Sequence, residues 1–123
     1  MSSSSPAEGK PILVVCLNPV LQRTLLFDDW AENEVNRTDQ YYLDASGKGV
    51  NVSRVLSQLG AKALHLTHAG GRERDHFLQM CADDGLELAW VESESEIRTC
   101  TTLLNRRNRS STELVEEARP VAP

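Results

Sequence analysis

The first candidate core strand is the continuous apolar run Ile12 to Leu17, which is closed by Asn-Pro. Two further core strands are predicted at "AKALHLTHAGG" and "LELAWV", which also contain polar residues. Short apolar runs without alternation are typical of strands that are buried on both faces of a sheet. The pattern therefore predicts three core strands.

A stretch with the spacing of an amphipathic helix follows "DASGKG". Its apolar residues recur at i, i+3, i+4 and i+7, and they are Val52, Val55, Leu56 and Leu59. Gly60 comes directly after them, at a position where glycine commonly ends helices. We expect one helix here, with this apolar stripe facing the core.

A second helix is predicted over "RERDHFLQMCADDG", with Phe77, Leu78 and Cys81 inward and Gly85 as its end. The order strand, helix, strand, helix, strand predicts an α/β domain with a parallel sheet and right-handed crossovers. Such a sheet needs helices on both faces, and two helices are too few to cover three strands. Either another chain supplies the missing cover, or the sequence is a piece of something longer.

Four further stretches are predicted as strands, namely "RTLLFDDW", "EVNRTDQYYLDA", "RTCTTLLN" and "STELVE". The second of them alternates along its length and carries polar side chains on both faces. Strands of this kind fit poorly in a core. They predict an exposed sheet, or lid, built on top of the main domain.

Composition narrows the class of protein. The net charge is −5 and 25% of residues are charged, which argues against a nucleic-acid partner. The longest apolar run has the length of a strand, so no membrane span is predicted. "MSSSSPAEGK" has no apolar segment of the kind found in secretory signals, and we expect residues 1–10 to be a disordered leader.

The three cysteines are Cys16, Cys81 and Cys100, which are widely spaced and odd in number. This usage is typical of reduced thiols in a cytoplasmic protein and not of a disulfide framework. Zinc sites need closely spaced Cys or His pairs, and these cysteines provide none. No metal site is predicted.

The Gly-Lys-Gly turn at the start of the first helix is the main candidate for chemistry. A helix N-terminus exposes unpaired N–H groups and favours anions. Gly47 and Gly49 allow the backbone to approach a ligand closely, and Lys48 adds a full positive charge. Asn51 can donate and accept hydrogen bonds, and Asp44 can accept them from sugar hydroxyls. Together these residues predict a site for an anionic, polyhydroxylated ligand.

Two better-known phosphate motifs do not fit this turn. A P-loop would need glycine at Tyr42 and Ser or Thr at Gly49. A dinucleotide fingerprint would need glycine at Val52. From local chemistry alone, the alternative of a plain strand-to-helix turn with an incidental lysine stays open.

Linked motifs give the sequence a resemblance to a known family. "LNPVLQRT", "DASGKGVNVSRVLSQLGAK", "EIRTCTTLLN" and "STEL" occur in an order and spacing similar to the ribokinase-like (PfkB) carbohydrate kinases. The closest likeness is to the branch of 1-phosphofructokinase and tagatose-6-phosphate kinase. The resemblance covers Ile12 to about Glu117 and implies a three-layer α/β/α fold, incomplete here, with a small β-sheet lid.

The resemblance also implies roles for particular residues. Asp44, Gly47, Lys48, Gly49 and Asn51 would hold the sugar and its phosphate. A guanidinium suits a phosphate partner, and Arg98 would take that role. The polar strands, at about 22–44 and 98–115, would form a lid that closes over a phosphorylated ketohexose. In many relatives the lid also makes the dimer contact, which implies a homodimer through the lid strands or association with the missing half.

This chain departs from the family pattern in two ways. Gln22 stands where the family usually has an aspartate, which replaces an acceptor-only carboxylate with an amide. Relatives are also more than twice as long, and their later half carries the "GAGD" general base and most of the ATP pocket. The family implies ATP and Mg²⁺, but no residue of this chain can be assigned to them. Residues 11–117 would thus be the N-terminal part of a kinase domain, and residues 118–123 would be a tail. The chain would then have no kinase activity by itself.

Two other readings remain open. The chain could be a non-catalytic module that binds phosphosugar or interacts through its lid. It could also be an unrelated small α/β domain that matches the family by chance.

Overall fold

The computed structural model describes residues 9–123, and most of the leader predicted for residues 1–10 lies outside this range. These residues form seven strands and two helices. They are β1 (Ile12–Cys16), β2 (Val20–Phe27), β3 (Tyr41–Ser46), α1 (Lys48–Gln58), β4 (Ala63–Ala69), α2 (Arg74–Asp83), β5 (Leu88–Glu92), β6 (Arg98–Asn105) and β7 (Ser110–Val115).

The strands divide into two sheets. The core sheet has the order β1-β4-β5 and is parallel throughout, as the alternation of strands and helices predicts. The lid sheet has the order β3-β2-β6-β7, and β2 pairs with β6 in parallel while the outer pairs are antiparallel. The polar strands do form a separate sheet, which confirms that part of the sequence analysis.

One predicted strand is much shorter than expected. "EVNRTDQYYLDA" alternates throughout, but the strand begins only at Tyr41. Before it, the Asn36 side chain both donates to and accepts from the backbone of Ala31, which closes a loop. Local side-chain bonding of this kind competes with strand pairing. The alternation in residues 34–40 was therefore wrong as a strand signal.

Both helices lie on the same face of the core sheet. Val50 of α1 and Phe77 of α2 share one buried cluster, and Arg54 of α1 forms an ion pair with Asp84 at the end of α2. Alternation along β1 turns Val14 toward the helices and leaves Val15 exposed on the opposite face. Residues 9–123 thus supply one helical layer and the sheet, which agrees with an incomplete three-layer fold.

The predicted inward stripe of α1 is wrong for Val52, Val55 and Leu59, and Leu56 alone is half-buried. Val55 is 52% exposed and Leu59 is 71% exposed, whereas the buried face of the helix is formed by Gly49, Val50 and Ser53. The face that packs on the sheet carries small residues because the helix lies close to β1 and β4. We call the exposed residues Val52, Val55 and Leu59 the outer stripe. The inward residues of α2 agree with expectation, since Phe77 and Cys81 are fully buried and Leu78 packs against the core.

The core lies where the two sheets and the helices meet. Its fully buried members come from the lid strands, the helices and the end of β4, and they include Leu21, Ala45, Val50, Ala69 and Phe77. Leu21 and Ala45 pair across β2 and β3 at the base of the lid sheet. The base of the lid is therefore anchored in the core, and its outer part extends beyond it.

The two faces of α1 can be separated by experiment. Val50→Thr should lower the free energy of unfolding by about 1–3 kcal/mol, because it buries a hydroxyl in an apolar cluster. Val55→Thr should change it by less than about 0.5 kcal/mol, because the side chain is exposed. Urea unfolding at low protein concentration measures both, and an equal loss in the two variants would contradict the orientation of the helix.

Candidate functional site

A cavity of 660 Å³ opens between the start of α1, the end of β1 and the inner face of the lid sheet. Six of the seven predicted site residues line it. They are Gln22, Gly47, Lys48, Gly49, Asn51 and Arg98. The seventh, Asp44, pairs across the strands with Gln22 but is not part of the lining.

The Gly-Lys-Gly turn forms the floor of the cavity. Gly47 is the N-cap of α1 and has φ 120°, a conformation that side chains disfavour. A Cβ at this position would lie 3.1 Å from the Asn18 carbonyl oxygen and 3.2 Å from Cys16 Sγ. The first turn contains no acidic residue, so the exposed N–H groups and Lys48 together make this end of the helix electropositive.

Gly49 is required for a different reason, namely lack of space. A Cβ there would lie 2.6 Å from Cys16 Cβ and 3.0 Å from His65 Cε1. The helix therefore sits almost in contact with β1 and β4, and this brings its N-terminus to the end of β1. Both positions require glycine because of close packing, which the sequence pattern alone did not reveal.

His65 lies beneath the first turn of α1 and is fully buried. Its Nδ1 atom is 3.0 Å from Ser53 Oγ on the next turn of the helix. Its Nε2 atom forms no hydrogen bond of ordinary geometry with residues 9–123. Burial lowers the pKa of His65, and the backbone of Gly49 opposes this only in part.

Arg98 borders the cavity at the base of the lid. Its Nη1 atom donates to the Glu116 carbonyl oxygen at 3.0 Å, while its buried Nε has no partner within residues 9–123. Val20 pairs with both Ser46 and Arg98, so the row of residues at the base of the lid connects Arg98 to the strand that leads into α1. The register thus brings the two cations of the cavity, Lys48 and Arg98, to the same end of the lid.

Gln22 lies one row higher on the inner face of the lid. Its Nε2 atom donates to Thr102 Oγ1 at 2.8 Å and to the Arg23 carbonyl at 3.2 Å. The amide donor is thereby committed, and Oε1 is the group that Gln22 can offer to a ligand. In this respect the glutamine presents an acceptor, as the aspartate of the family pattern would.

Several lining residues were not predicted as site residues. The polar or reactive ones are Cys16, Asn18, Ser46, Cys100, Thr101, Thr102 and Glu113. Thr102 and Glu113 pair directly across β6 and β7. The period of two along each strand places them on the same face as Gln22, but the pairing of β2 with β6 had to be known first. The other thiol, Cys81, faces the core, and burial raises its pKa to about 11.

Within residues 9–123, no group of three His, Cys, Asp or Glu side chains is placed to hold a metal ion. None of the helices in that range is long and apolar enough to cross a membrane. The cavity itself offers cationic, amide and hydroxyl groups together with the Glu113 carboxylate and two thiols, and the first three suit an anion that also carries hydroxyls.

The family model of the pfkB carbohydrate kinases matches residues 12–121. The chain belongs to this family. The match confirms the resemblance that the sequence motifs indicated, and it contradicts the reading of an unrelated domain that matches by chance.

Individual relatives agree with this assignment. The chain is 29% identical over 106 residues to tagatose-6-phosphate kinase of Staphylococcus epidermidis, and the match covers 86% of this chain and 34% of that protein. Phosphofructokinase-2 from Escherichia coli, solved in complex with fructose-6-phosphate, superposes with a TM-score of 0.82 at 22% identity, covering 92% of this chain and 37% of that one. A possible 1-phosphofructokinase from Thermotoga maritima gives 0.78 at 24% identity, over 92% and 36%. The solved structures establish the ribokinase-like fold. This chain spans 36–37% of the length of these neighbours.

The close approach at Gly49 generates a stability prediction. Gly49→Ala should cost about 1–3 kcal/mol, because its methyl group forces the first turn of α1 away from β1. Gly60→Ala is the matched control, since a Cβ there meets nothing within 4 Å. Its only expected cost is that of a left-handed backbone at a residue with a side chain, about 1–2 kcal/mol of unfolding free energy. The free energy of unfolding of both variants is measured by urea unfolding. A fully stable Gly49→Ala variant would contradict the packing described here.

The buried His65 predicts a pH dependence of stability. Its folded-state pKa lies below the ordinary value of 6.5, so below that pH the unfolded chain takes up a proton that the folded chain does not. Stability is therefore complete above about pH 6.5 and is lost as the pH falls toward the folded-state pKa. His65→Asn should remove this loss between about pH 7.5 and 5.5, whereas His76→Asn, at an exposed position, should keep it. Equal pH dependence in the His65 variant and the unmodified chain would refute the assignment.

Proposed function

We propose that this chain is the substrate-binding and lid portion of an ATP-dependent sugar-phosphate kinase. Its substrate class would be a phosphorylated ketohexose, such as fructose 1-phosphate, fructose 6-phosphate or tagatose 6-phosphate. One observation carries the proposal: a single cavity holds Lys48, the N-terminus of α1 and Arg98 beneath a polar lid wall. The family assignment and the names of the relatives agree with this substrate class.

The residues divide into a phosphate-binding group and a sugar-binding group. Lys48, the N–H groups of the first turn and Arg98 bind the substrate phosphate, because cations and helix N-termini favour anions. Gln22 and Asn51 hydrogen-bond to sugar hydroxyls. Asp44 remains a predicted sugar ligand, supported by its place beside Gln22 on the same face of the lid.

Kinases of this family use ATP, and the family implies Mg²⁺ as well. The residues present do not fit these groups. No metal-binding cluster occurs within residues 9–123, and both cations of the cavity are assigned to the substrate phosphate. Phosphoryl transfer depends on groups positioned around metal-bound ATP. We therefore place the ATP site and the general base in the part of the relatives that this chain does not span, and we expect no turnover by these residues alone.

An uncovered apolar surface supports association with that missing part. β1 is an edge strand of the core sheet, and it exposes Leu13 and Val15 on the face that carries no helix. The outer stripe of α1 is also exposed, on the helical face of the sheet. A helix packed on the bare face of the core sheet and a further element against α1 would cover these two surfaces.

The outer face of the lid sheet supports contact with a second copy of the chain. Leu25, Leu103 and Tyr41 form one row across the sheet, and Leu114 lies in the next row on the same face. Tyr41 and Leu114 are more than half exposed. We propose that this apolar face forms the homodimer contact. Phosphofructokinase-2 from Escherichia coli has been solved in a tetrameric form, so oligomers occur among the structural neighbours.

Binding of phosphosugar tests the proposal. Each of the three ketohexose phosphates named above is added to the purified chain and thermal unfolding is followed. A ligand at about one hundred times its dissociation constant should add about 2.7 kcal/mol of stability. Lys48→Ala should abolish most of this gain because it removes the charge at the floor of the cavity.

Lys62→Ala serves as the matched control, since Lys62 is exposed and does not line the cavity. It should retain the full ligand-induced gain. The absence of any gain in the unmodified chain, or an equal loss in the two lysine variants, would refute the proposed phosphosugar site.

A further inference from the structure

The charged side chains of the cavity are distributed unevenly along the lid. The lining contains three of them, Lys48, Arg98 and Glu113. The two cations lie at the base of the lid, as described above. Glu113 pairs with Thr102, which is four residues beyond Arg98 on β6, so it lies about 13 Å further up the sheet at 3.3 Å per residue. The charge of the cavity wall that the lid sheet forms therefore changes from positive at the base of the lid to negative near its outer edge.

Glu113 has no partner that would explain it as a structural residue. Its carboxylate forms no hydrogen bond or ion pair with any of residues 9–123, and its side chain is exposed. Arg98, the cation on the neighbouring strand, is directed to the Glu116 carbonyl instead. An unpaired carboxylate that borders a cavity is available to a ligand.

The groups beside Glu113 are arranged to receive hydroxyls. Gln22 donates to Thr102, and this contact leaves Gln22 Oε1 as an acceptor and the Thr102 hydroxyl proton free to be donated. Glu113 lies directly across from Thr102 on the same face. The three side chains form one continuous patch, which we call the acceptor patch, and two of its groups can only accept hydrogen bonds from a ligand.

We propose that Glu113 is a specificity-determining residue that binds hydroxyls at the end of the sugar farthest from its phosphate. This inference rests on the proposed phosphosugar function and assigns a direction to the substrate within the cavity. The phosphate lies at the base with Lys48 and Arg98, and the hydroxyl end lies against the acceptor patch. Glu113 supplies the carboxylate of this cavity, since Asp44 does not line it.

Isothermal titration calorimetry with two probes tests this role. Glu113→Gln should weaken binding of the ketohexose phosphate by about tenfold, because a hydrogen bond to a charged acceptor becomes one to a neutral amide. It should leave binding of inorganic phosphate unchanged, since that probe carries no sugar hydroxyls. Glu94→Gln removes the same charge from an exposed loop outside the cavity and should leave both affinities unchanged.

The outcomes separate this inference from the function on which it rests. Unchanged or tighter sugar-phosphate binding by Glu113→Gln, with normal binding by the unmodified chain, would overturn the role of Glu113 alone. An equal loss for both probes would also overturn it, since the residue would then act on the anion site. If the unmodified chain binds neither probe, the proposed function fails together with this inference.

Discussion

The contact between the first turn of α1 and the end of β1 is the constraint on which the site depends. Gly49 fits only because it has no side chain, and Cys16 and His65 fill the space below it. This packing aims the helix N-terminus into the cavity and fixes the height of Lys48 above β1. A looser contact would still leave a helix, but its N–H groups would no longer border the same cavity as Arg98. The electrostatics of the site are thus a result of steric fit in the layer beneath it.

Much of the architecture could be predicted from local pattern. The three core strands could be recognised from their short apolar stretches, and the helix of Phe77 and Cys81 from apolar residues that repeat with the helical period. In β1 only one face is buried, because no helix of residues 9–123 covers the other. The stripe of α1 failed for a physical reason. The apolar side chains of the stripe follow the helical period. The face that packs on the core nevertheless carries the small residues Gly49 and Ser53, because the helix lies close to the sheet. Periodicity shows that a helix has an apolar face, but it does not show which layer will cover that face.

The site could be predicted in part for a similar reason. The Gly-Lys-Gly turn carries its chemistry within a few residues, so the sequence alone pointed to Lys48 and Asn51. Arg98 and Gln22 entered only through the family resemblance. Glu113 and Thr102 could not be placed, because their position depends on the register of β2 with β6 and of β6 with β7. Conversely, Asp44 is close to the turn in sequence but does not line the cavity.

The parallel pairing of β2 with β6 has a consequence for folding. Gln22 and Thr102 form one wall of the cavity, although they are 80 residues apart in the chain. The whole core sheet and both helices lie between these two lid strands in sequence, so the lid cannot form as a local hairpin. Contacts between distant residues form slowly, because the entropy of closing a long loop opposes them. During synthesis, the cavity wall is complete only after β7 has been made, and until then the growing chain has the electropositive end of α1 without the polar wall that faces it.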